Sequence, residues 1–405
     1  MIIAVPKETC PGEKRVALVP SAAAGLVKDG HQVRLEQGAG VESGFDDQQY
    51  RQRGVEVIDD RGRLIAQAEM TLQVRTPGAN PQAGMNDLPH FRSGQILIGL
   101  AEPLLALEAI KALAERGVIL LALELLPRIT RAQSMDVLSS QANLAGYKAV
   151  IRAADLLGRI FPMMMTAAGT LQPARVFVIG AGVAGLQAIA TANRLGAIVS
   201  AFDVRPVVKE QVESVGGRFV QLPLDTAAAQ DSSGYARAQS EDQLRRQREL
   251  MHRVVAESDV VITTALVPGQ RAPILVTRAM VEAMPSGGVI VDLAAERGGN
   301  CELTQPGQTI RHGSITIVGD PNLVSSAAQH ASQMYANNLV NLLRHLFWAR
   351  KGEAAAPSQP RLDESDEIVA GILVCRDGQV VHPRVRELMG LEPLQRVPQP
   401  TPTAG

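Results

Sequence analysis

Arg175-Val-Phe-Val-Ile-Gly180-Ala-Gly182-Val-Ala-Gly185-Leu186, with Ala197-Ile-Val-Ser-Ala-Phe-Asp203 following, decides the fold of this chain. An apolar strand runs into a G-x-G-x-x-G turn, the turn opens a helix, and a second apolar run closes on an acid. That order is the fingerprint of a dinucleotide-binding βαβ unit. Gly180 makes the tight turn, Gly182 lets backbone approach a pyrophosphate, and Gly185 lets the helix pack close to its strand. The helix N-terminus then presents N–H groups and the positive end of its dipole to the phosphates. Asp203 is placed to accept hydrogen bonds from the adenosine ribose hydroxyls, and its charge opposes a ribose phosphate, so the pattern favours NAD(H) over NADP(H). Arg205, two residues on, works against that preference.

Working outward, 405 residues are too many for one core, and two domains of ordinary size are expected. Forty Lys and Arg balance 41 Asp and Glu, which gives no electrostatic argument for nucleic acid. Cys10, Cys301 and Cys375 are widely spaced, so neither a disulfide scaffold nor a metal site is expected, and a reducing compartment fits. Met1-Ile-Ile-Ala-Val-Pro-Lys-Glu8 reads as a first strand rather than a signal peptide. No apolar run reaches the ~18 residues of a membrane helix; the most apolar region, Ile96 to Leu126, is broken by Glu102, Pro103, Glu108, Lys111, Glu115 and Arg116.

Before the glycine turn, strand-like and helix-like segments alternate, which predicts a second doubly wound, parallel-sheet domain. Ile2 to Val5 is a strand. Pro20 starts a helix ended by Gly30, and His31 to Leu35 is the next strand. The cycle recurs from Asp46 through Gly54 to Val57, and from Pro103 through Gly117 into Val118–Glu124. Helices over about Ser140–Asp155 and Ser326–Arg350 are expected to carry the chain into the nucleotide domain and back. The second of these would bring Met334, Leu339, Leu342, Leu343 and Leu346 onto one face. The resulting division is an N-terminal α/β domain at 1–137 completed by 326–382, a Rossmann domain at 138–325 with a cleft between the two, and an extended tail at 383–405. Lys351 to Pro360 reads as a linker, and Glu367–Cys375 with Gln379–His382 as a hairpin about Asp377-Gly378.

Three segments carry candidate chemistry. Pro127-Arg128-Ile-Thr-Arg131-Ala-Gln133-Ser-Met-Asp136-Val-Leu-Ser139 follows an apolar strand at its carboxyl end, where open α/β sheets place ligands. Asp136 and Ser139 also suit a helix cap; Arg128 and Gln133 do not. Leu224 to Ser240 exceeds the ~12 to 15 residues at which a compact domain's loop calls for a functional reason. It reads as a lid hinged near Gly234 with Tyr235 as its covering side chain, or as a solvated insertion. Asp259 to Gly269 is a buried strand ending in a small-residue turn, where Leu266 can pack on a nicotinamide. None of the histidines at 31, 90, 252, 312, 330, 345 and 382 falls in these segments, so no general base is in evidence. Hydride exchange between two nicotinamides needs none, only ring carbons held about 3 to 3.5 Å apart with water excluded.

With these residues in view, the chain resembles the NAD(H)-binding domain I of proton-translocating transhydrogenases, within the alanine dehydrogenase/transhydrogenase family. The resemblance rests on Pro6-Lys-Glu-Thr9, Glu13-Lys-Arg-Val-Ala-Leu-Val-Pro20, the run from Arg131 to Tyr147, the glycine turn, Asp203-Val-Arg205, Gly234-Tyr-Ala236 and Thr263-Thr-Ala-Leu-Val-Pro-Gly269. It implies that Arg128, Gln133, Asp136 and Ser139 serve catalysis by steering the nicotinamide, and that Tyr235, with Gly234, serves it from a mobile loop. It also implies that Ile129, Gly180, Gly182, Val183, Gly185, Asp203, Val204, Arg205, Gly234, Gln247 and Leu266 contact NAD(H), with no metal. Further implied are NADP(H) on a partner beta subunit, a membrane-spanning subunit, a homodimer, and a cytoplasmic place on the inner face of the plasma membrane. Against the alanine dehydrogenases the chain departs: Arg75 stands where they keep a substrate-binding lysine, their catalytic histidine has no counterpart in Ile96–Pro103, and Glu296 is the acid after Val291-Asp-Leu-Ala-Ala295. Arg15 remains. An alanine-dehydrogenase-like oxidoreductase and a non-catalytic NAD-sensing module are the alternative readings.

Overall fold

The computed structural model describes residues 1–221, 241–267, 269–347 and 359–394, with only the backbone at 241–247. The proposed lid with Gly234 and Tyr235, most of the 351–360 linker, the side chain of Gln247 and the last portion of the tail lie outside the described residues. The chain divides into two compact units, Met1–Leu138 with Ala328–Gly405, and Ser139–Ala327.

In the first unit an eight-stranded sheet runs, in spatial order, Gln379–Val380, Leu373–Arg376, Ile119–Ala122, Ile96–Leu100, Met70–Arg75, Ile2–Val5, Gln32–Glu36 and Glu56–Ile58. The six N-terminal strands are parallel to their neighbours, and the two C-terminal strands add an antiparallel edge. Strand order reverses beside Ile2–Val5, so successive crossovers cover both faces. Such strands are buried on both sides, and Ile3, Ala4, Val5, Leu72, Val74, Leu97 and Ile98 are all buried. Pro20 opens the helix Pro20–Lys28, and Gly30, Gly54 and Gly117 take φ of 89°, 82° and 78° where each helix hands over to a strand. The returning helix is Ala328–Leu346. Leu339, Leu342, Leu343 and Leu346 are buried, but Met334 is exposed and Tyr335 takes the core position, donating its hydroxyl to the Gln73 carbonyl at 2.8 Å.

Two C-terminal expectations change. Glu367–Ile372 is a helix rather than strand, because the Asp366 carboxylate accepts from Ile368 N at 3.0 Å and caps it. The hairpin itself forms from Leu373–Arg376 and Gln379–Val380, with Asp377 and Gly378 at φ 52° and 77°, the pair of left-handed residues such a tight turn requires. The tail is not extended from 383: Pro383 starts the helix Pro383–Leu388, whose Val385 is buried against Leu113, Val374 and Val380.

The second unit holds a seven-stranded sheet in the order Arg218–Phe219, Ile198–Phe202, Arg175–Ile179, Val260–Thr263, Val289–Asp292, Ile315–Val318 and Thr309–His312. All neighbours are parallel except the last pair. The chain leaves Arg175–Ile179 toward one edge and returns on its other side at Val260–Thr263. The topological switch point, the ligand crevice of open α/β sheets, therefore lies at the carboxyl ends of those two strands. Glu241–Ala256 is helical, and a two-stranded hairpin, Met164–Thr166 with Gly169–Leu171, is exposed along its whole length.

Candidate dinucleotide site

At the switch point the three glycines have three different surroundings. Gly180 has φ 99°, and a Cβ there would lie 2.5 Å from Thr264 Oγ1. That hydroxyl donates to the Gly180 carbonyl at 3.0 Å and ties the turn to the neighbouring strand end. A Cβ on Gly185 would stand 1.8 Å from the Gly180 oxygen, so the helix Val183–Arg194 begins pressed onto the turn. Gly182 differs: it is exposed, has φ −78°, and a Cβ added there meets nothing within 4 Å. The protein does not need that space for itself. It is open surface directly before a helix N-terminus, and it leaves room for an approaching pyrophosphate.

Asp203 directly follows the strand Ile198–Phe202, with its side chain only 6% exposed. Its Oδ2 accepts from Ala181 N at 2.8 Å, joining the acid to the glycine turn. Its Oδ1 accepts from Arg205 N and Arg205 Nε, both at 2.9 Å, and Arg205 Nη2 donates to Oδ2 at 2.9 Å. Val204 between them packs on the core around Phe177 and Phe202.

On the other flank, Thr264, Ala265 and Leu266 follow Val260–Thr263. Leu266 and Val183 are large apolar residues left exposed at 46% and 39%. One residue that sequence reasoning missed holds this turn. Asn300, fully buried, accepts from Ala265 N at 2.9 Å and donates to the Ala265 and Pro273 carbonyls, each at 2.9 Å. Its own loop is pinned by Asp292, which accepts from Thr263 Oγ1, Ala294 N, Cys301 N and Thr304 Oγ1. The only sequence signal was the Gly298-Gly299 pair, both at positive φ, immediately before it. Glu296 is exposed nearby in sequence, on a short 3-10 turn.

The structure thus brings Gly180, Gly182, Val183, Gly185, Asp203, Val204, Arg205 and Leu266 to one end of the sheet of the second unit. Arg128, Ile129, Gln133 and Asp136 belong to the first unit, and Ser139 opens the second. Thr130–Met135 forms a 3-10 helix anchored by buried Ala132 and Met135, with the Ser134 carbonyl accepting from Asn338 and Asn341 at 2.8 and 3.0 Å. That leaves Arg128 and Gln133 exposed on a well-held backbone, while Asp136 stands directly before the helix Val137–Leu156.

The first unit has its own switch point, between Ile2–Val5 and Met70–Arg75, and there it is filled with charge. Glu13 forms a bidentate pair with Arg15 at 2.6 and 2.7 Å and also accepts from Arg75 Nε at 3.2 Å. Burial alone would raise its carboxyl, but the two guanidiniums outweigh it and hold Glu13 down at about 2. Glu8 accepts from Val74 N and Arg75 N; burial, and then the charge of Glu13, push it up to about 8. Arg15 and Arg75 are therefore both committed to Glu13. Among the described residues no group of three His, Cys, Asp or Glu is placed to hold a metal, and no helix is long and apolar enough to cross a membrane.

Known proteins resemble the chain over nearly its whole length. The family described as alanine dehydrogenase/PNT matches with its N-terminal domain at residues 4–145 and its C-terminal domain at 149–383. The NAD(P) transhydrogenase subunit alpha of Cereibacter sphaeroides is 42% identical over 410 residues, 99% of this chain and 76% of that protein. A crystal structure of transhydrogenase from Sinorhizobium meliloti superposes with a TM-score of 0.80 at 42% identity, covering 95% of this chain and 99% of the other. An alanine dehydrogenase of Halomonas elongata is 31% identical over 404 residues, 97% of this chain and 98% of its own.

Proposed function

Since the chain belongs to the alanine dehydrogenase/PNT family, we propose that it is the NAD(H)-binding subunit of a transhydrogenase and passes hydride directly between NADH bound here and NADP⁺ on a partner subunit. The observation that carries the reading is Gly182: an exposed position where an added Cβ meets nothing within 4 Å, between a tight glycine turn and a helix N-terminus, at the switch point of the sheet. NAD(H) supplies the transferable hydride; the protein's task is to hold the dinucleotide and exclude water. In this reading Asp203 takes the ribose, the Thr264–Leu266 turn faces the nicotinamide half, and Arg128, Ile129, Gln133, Asp136 and Ser139 steer the ring. Gly234 and Tyr235, outside the described residues, are assigned the mobile-loop role that the resemblance implies, and Gln247 that of a cofactor contact. The commitment of both Arg15 and Arg75 to Glu13 speaks against the amino-acid oxidation of an alanine dehydrogenase.

The proposal extends to the assembly: a beta subunit carrying NADP(H), a membrane-spanning subunit that couples the transfer to proton movement, and attachment through them to the inner face of the plasma membrane. A homodimer belongs to it as well. The exposed hairpin carries Met165 at 75% and Leu171 at 51% exposure, and two strands alone are marginal in water, which supports a second copy as their cover. Titration of the purified chain with NADH and NADPH tests the core claim. NADH is expected to bind at least about tenfold tighter, because a ribose phosphate would sit beside Asp203. Equal affinities, or alanine oxidation by the chain alone, would reject the reading; an NADP(H)-binding partner added to the NADH-loaded chain should produce hydride exchange, which a purely sensing module would not.

A further inference from the structure

The ribose acceptor of the proposed NAD(H) site is already occupied by the chain itself. A carboxylate has about four acceptor positions, two on each oxygen. In Asp203 all four are in use: Ala181 N and Arg205 Nη2 on Oδ2, Arg205 N and Arg205 Nε on Oδ1. Two of these donors are backbone N–H groups fixed by the glycine turn and by the first residues after the strand. The other two belong to the Arg205 side chain, and they approach as a planar fork, one donor to each oxygen. Were the fork to leave, one acceptor position would open on each oxygen, on the same edge of the carboxylate. A vicinal ribose diol offers two O–H donors side by side and fits that edge in the same bidentate manner.

We propose that the Arg205 guanidinium is an internal stand-in for the adenosine ribose diol: it holds Asp203 in position before binding and is exchanged for the diol when NAD(H) arrives. The burial pattern agrees with an exchange. Asp203 is nearly enclosed, at 6% exposure, while the Arg205 side chain keeps 24% and so has solvent beside it. The backbone donors from Ala181 and Arg205 stay behind and keep the carboxylate aimed. Two consequences follow for recognition. NAD(H) affinity is set below what Asp203 could deliver, because each binding event displaces an ion pair. The displaced cation is then left next to the ribose, where it softens the rejection of a 2′-phosphate that Asp203 alone would impose.

This inference rests on the NAD(H) reading, and the experiment separates the two. Purified full-length chain is titrated with NADH and with NADPH as wild type, Arg205→Ala, Arg205→Lys, Asp203→Ala and the Asp203→Ala/Arg205→Ala double variant, with thermal unfolding of each as a check on folding. Removing a partly exposed competitor of this kind is expected to tighten NADH binding by about fivefold in Arg205→Ala. Arg205→Lys, which keeps the charge and loses the fork, should also tighten NADH, while NADPH binding weakens in Arg205→Ala and is retained in Arg205→Lys. In the Asp203→Ala background the Arg205 substitution should no longer affect NADH, since nothing is left to contest. NADH binding that weakens in Arg205→Ala would make the arginine a direct ligand and overturn the proposal. So would unchanged affinity, or a tightening that persists without Asp203. A wild-type chain that binds no NADH would instead remove the underlying reading along with it.

Discussion

Substituting alanine at Gly182 and at Gly185 should give opposite outcomes, although the two glycines lie three residues apart in one motif. At Gly182 the backbone has φ −78°, acceptable to any residue, and the new Cβ meets nothing within 4 Å. Loss of unfolded-chain freedom stabilises such a change by about 0.4 to 1 kcal/mol. Alanine at a helix N-cap position costs a similar amount, up to about 1 kcal/mol relative to glycine. The two nearly cancel, so Gly182→Ala should unfold within about 1 kcal/mol of wild type. Its methyl group fills the space left for the pyrophosphate, however, and the loss of one charge-assisted hydrogen bond, about 1.5 to 3 kcal/mol, weakens NADH about ten- to a hundredfold. At Gly185 the Cβ would be 1.8 Å from the Gly180 oxygen, so turn and helix must separate. Overpacking of that kind costs about 1 to 3 kcal/mol, and stability and binding should fall together. NADH titration and denaturant unfolding on both variants decide the matter. Wild-type NADH affinity in a stable Gly182→Ala protein would mean that the turn does not receive the phosphates, and the functional reading would fail with it.

Three further outcomes are expected. Gln133→Ala should slow single-turnover hydride transfer in the reconstituted complex at least about tenfold while leaving NADH affinity within about threefold, since an exposed side chain on an anchored 3-10 turn acts by positioning; transfer within a few-fold of wild type would end that assignment. Asn300→Ala removes two hydrogen bonds from the Thr264–Leu266 turn and one from the Pro273 carbonyl, and should cost about 2 to 4 kcal/mol of stability together with a lower transfer rate, and intact kinetics would show that the turn holds itself. Glu8 binds its proton more tightly folded, at about 8, than at its ordinary 4.5, so its contribution to stability is complete below about pH 4.5 and is lost as pH rises toward 8. Glu13, held at about 2, contributes in the opposite sense and loses its share as pH falls below 4.5 toward 2. Glu8→Gln should therefore flatten the decline of melting temperature between pH 4.5 and 8 without altering the acid limb; an unchanged slope would show that Glu8 is ionised in the folded protein.

What the sequence made legible here was local. The glycine turn could be read because its three glycines fall within six residues between a strand and a helix, and the first strand, Ile2–Val5, because its apolar run is short and bounded. Helix starts at Pro20 and stops at Gly30, Gly54 and Gly117 followed from φ preferences alone. Long-range pairings were not legible. Asn300 reaches Ala265 across 35 positions and Arg75 reaches Glu13 across 62, and neither leaves a periodic trace. Glu367–Ile372 misled because Ile368, Val369 and Ile372 are core residues whose β-branched character reads as strand until the Asp366 cap is seen. The Met164–Leu171 hairpin escaped because alternation marks a half-buried strand, and both of its strands are exposed on all sides.

The two units also explain why only one of them is assigned a dinucleotide. Both are doubly wound sheets whose strand order reverses at a central strand, so both own a crevice at the strands' carboxyl ends. In the second unit that crevice is lined by a glycine-rich turn, a helix N-terminus and an acid whose partner is a long, partly exposed side chain. The place is arranged to be entered. In the first unit the corresponding positions carry Glu13 paired with both Arg15 and Arg75, and Glu8 held by the backbone N–H groups of Val74 and Arg75, with Glu13 at 3% and Arg15 at 3% exposure. Opening it would strand buried charges, which costs several kcal/mol when one partner of such a pair is lost. Topology supplied two crevices, and the residues placed on them left one closed by its own ion pairs and the other open along Gly182.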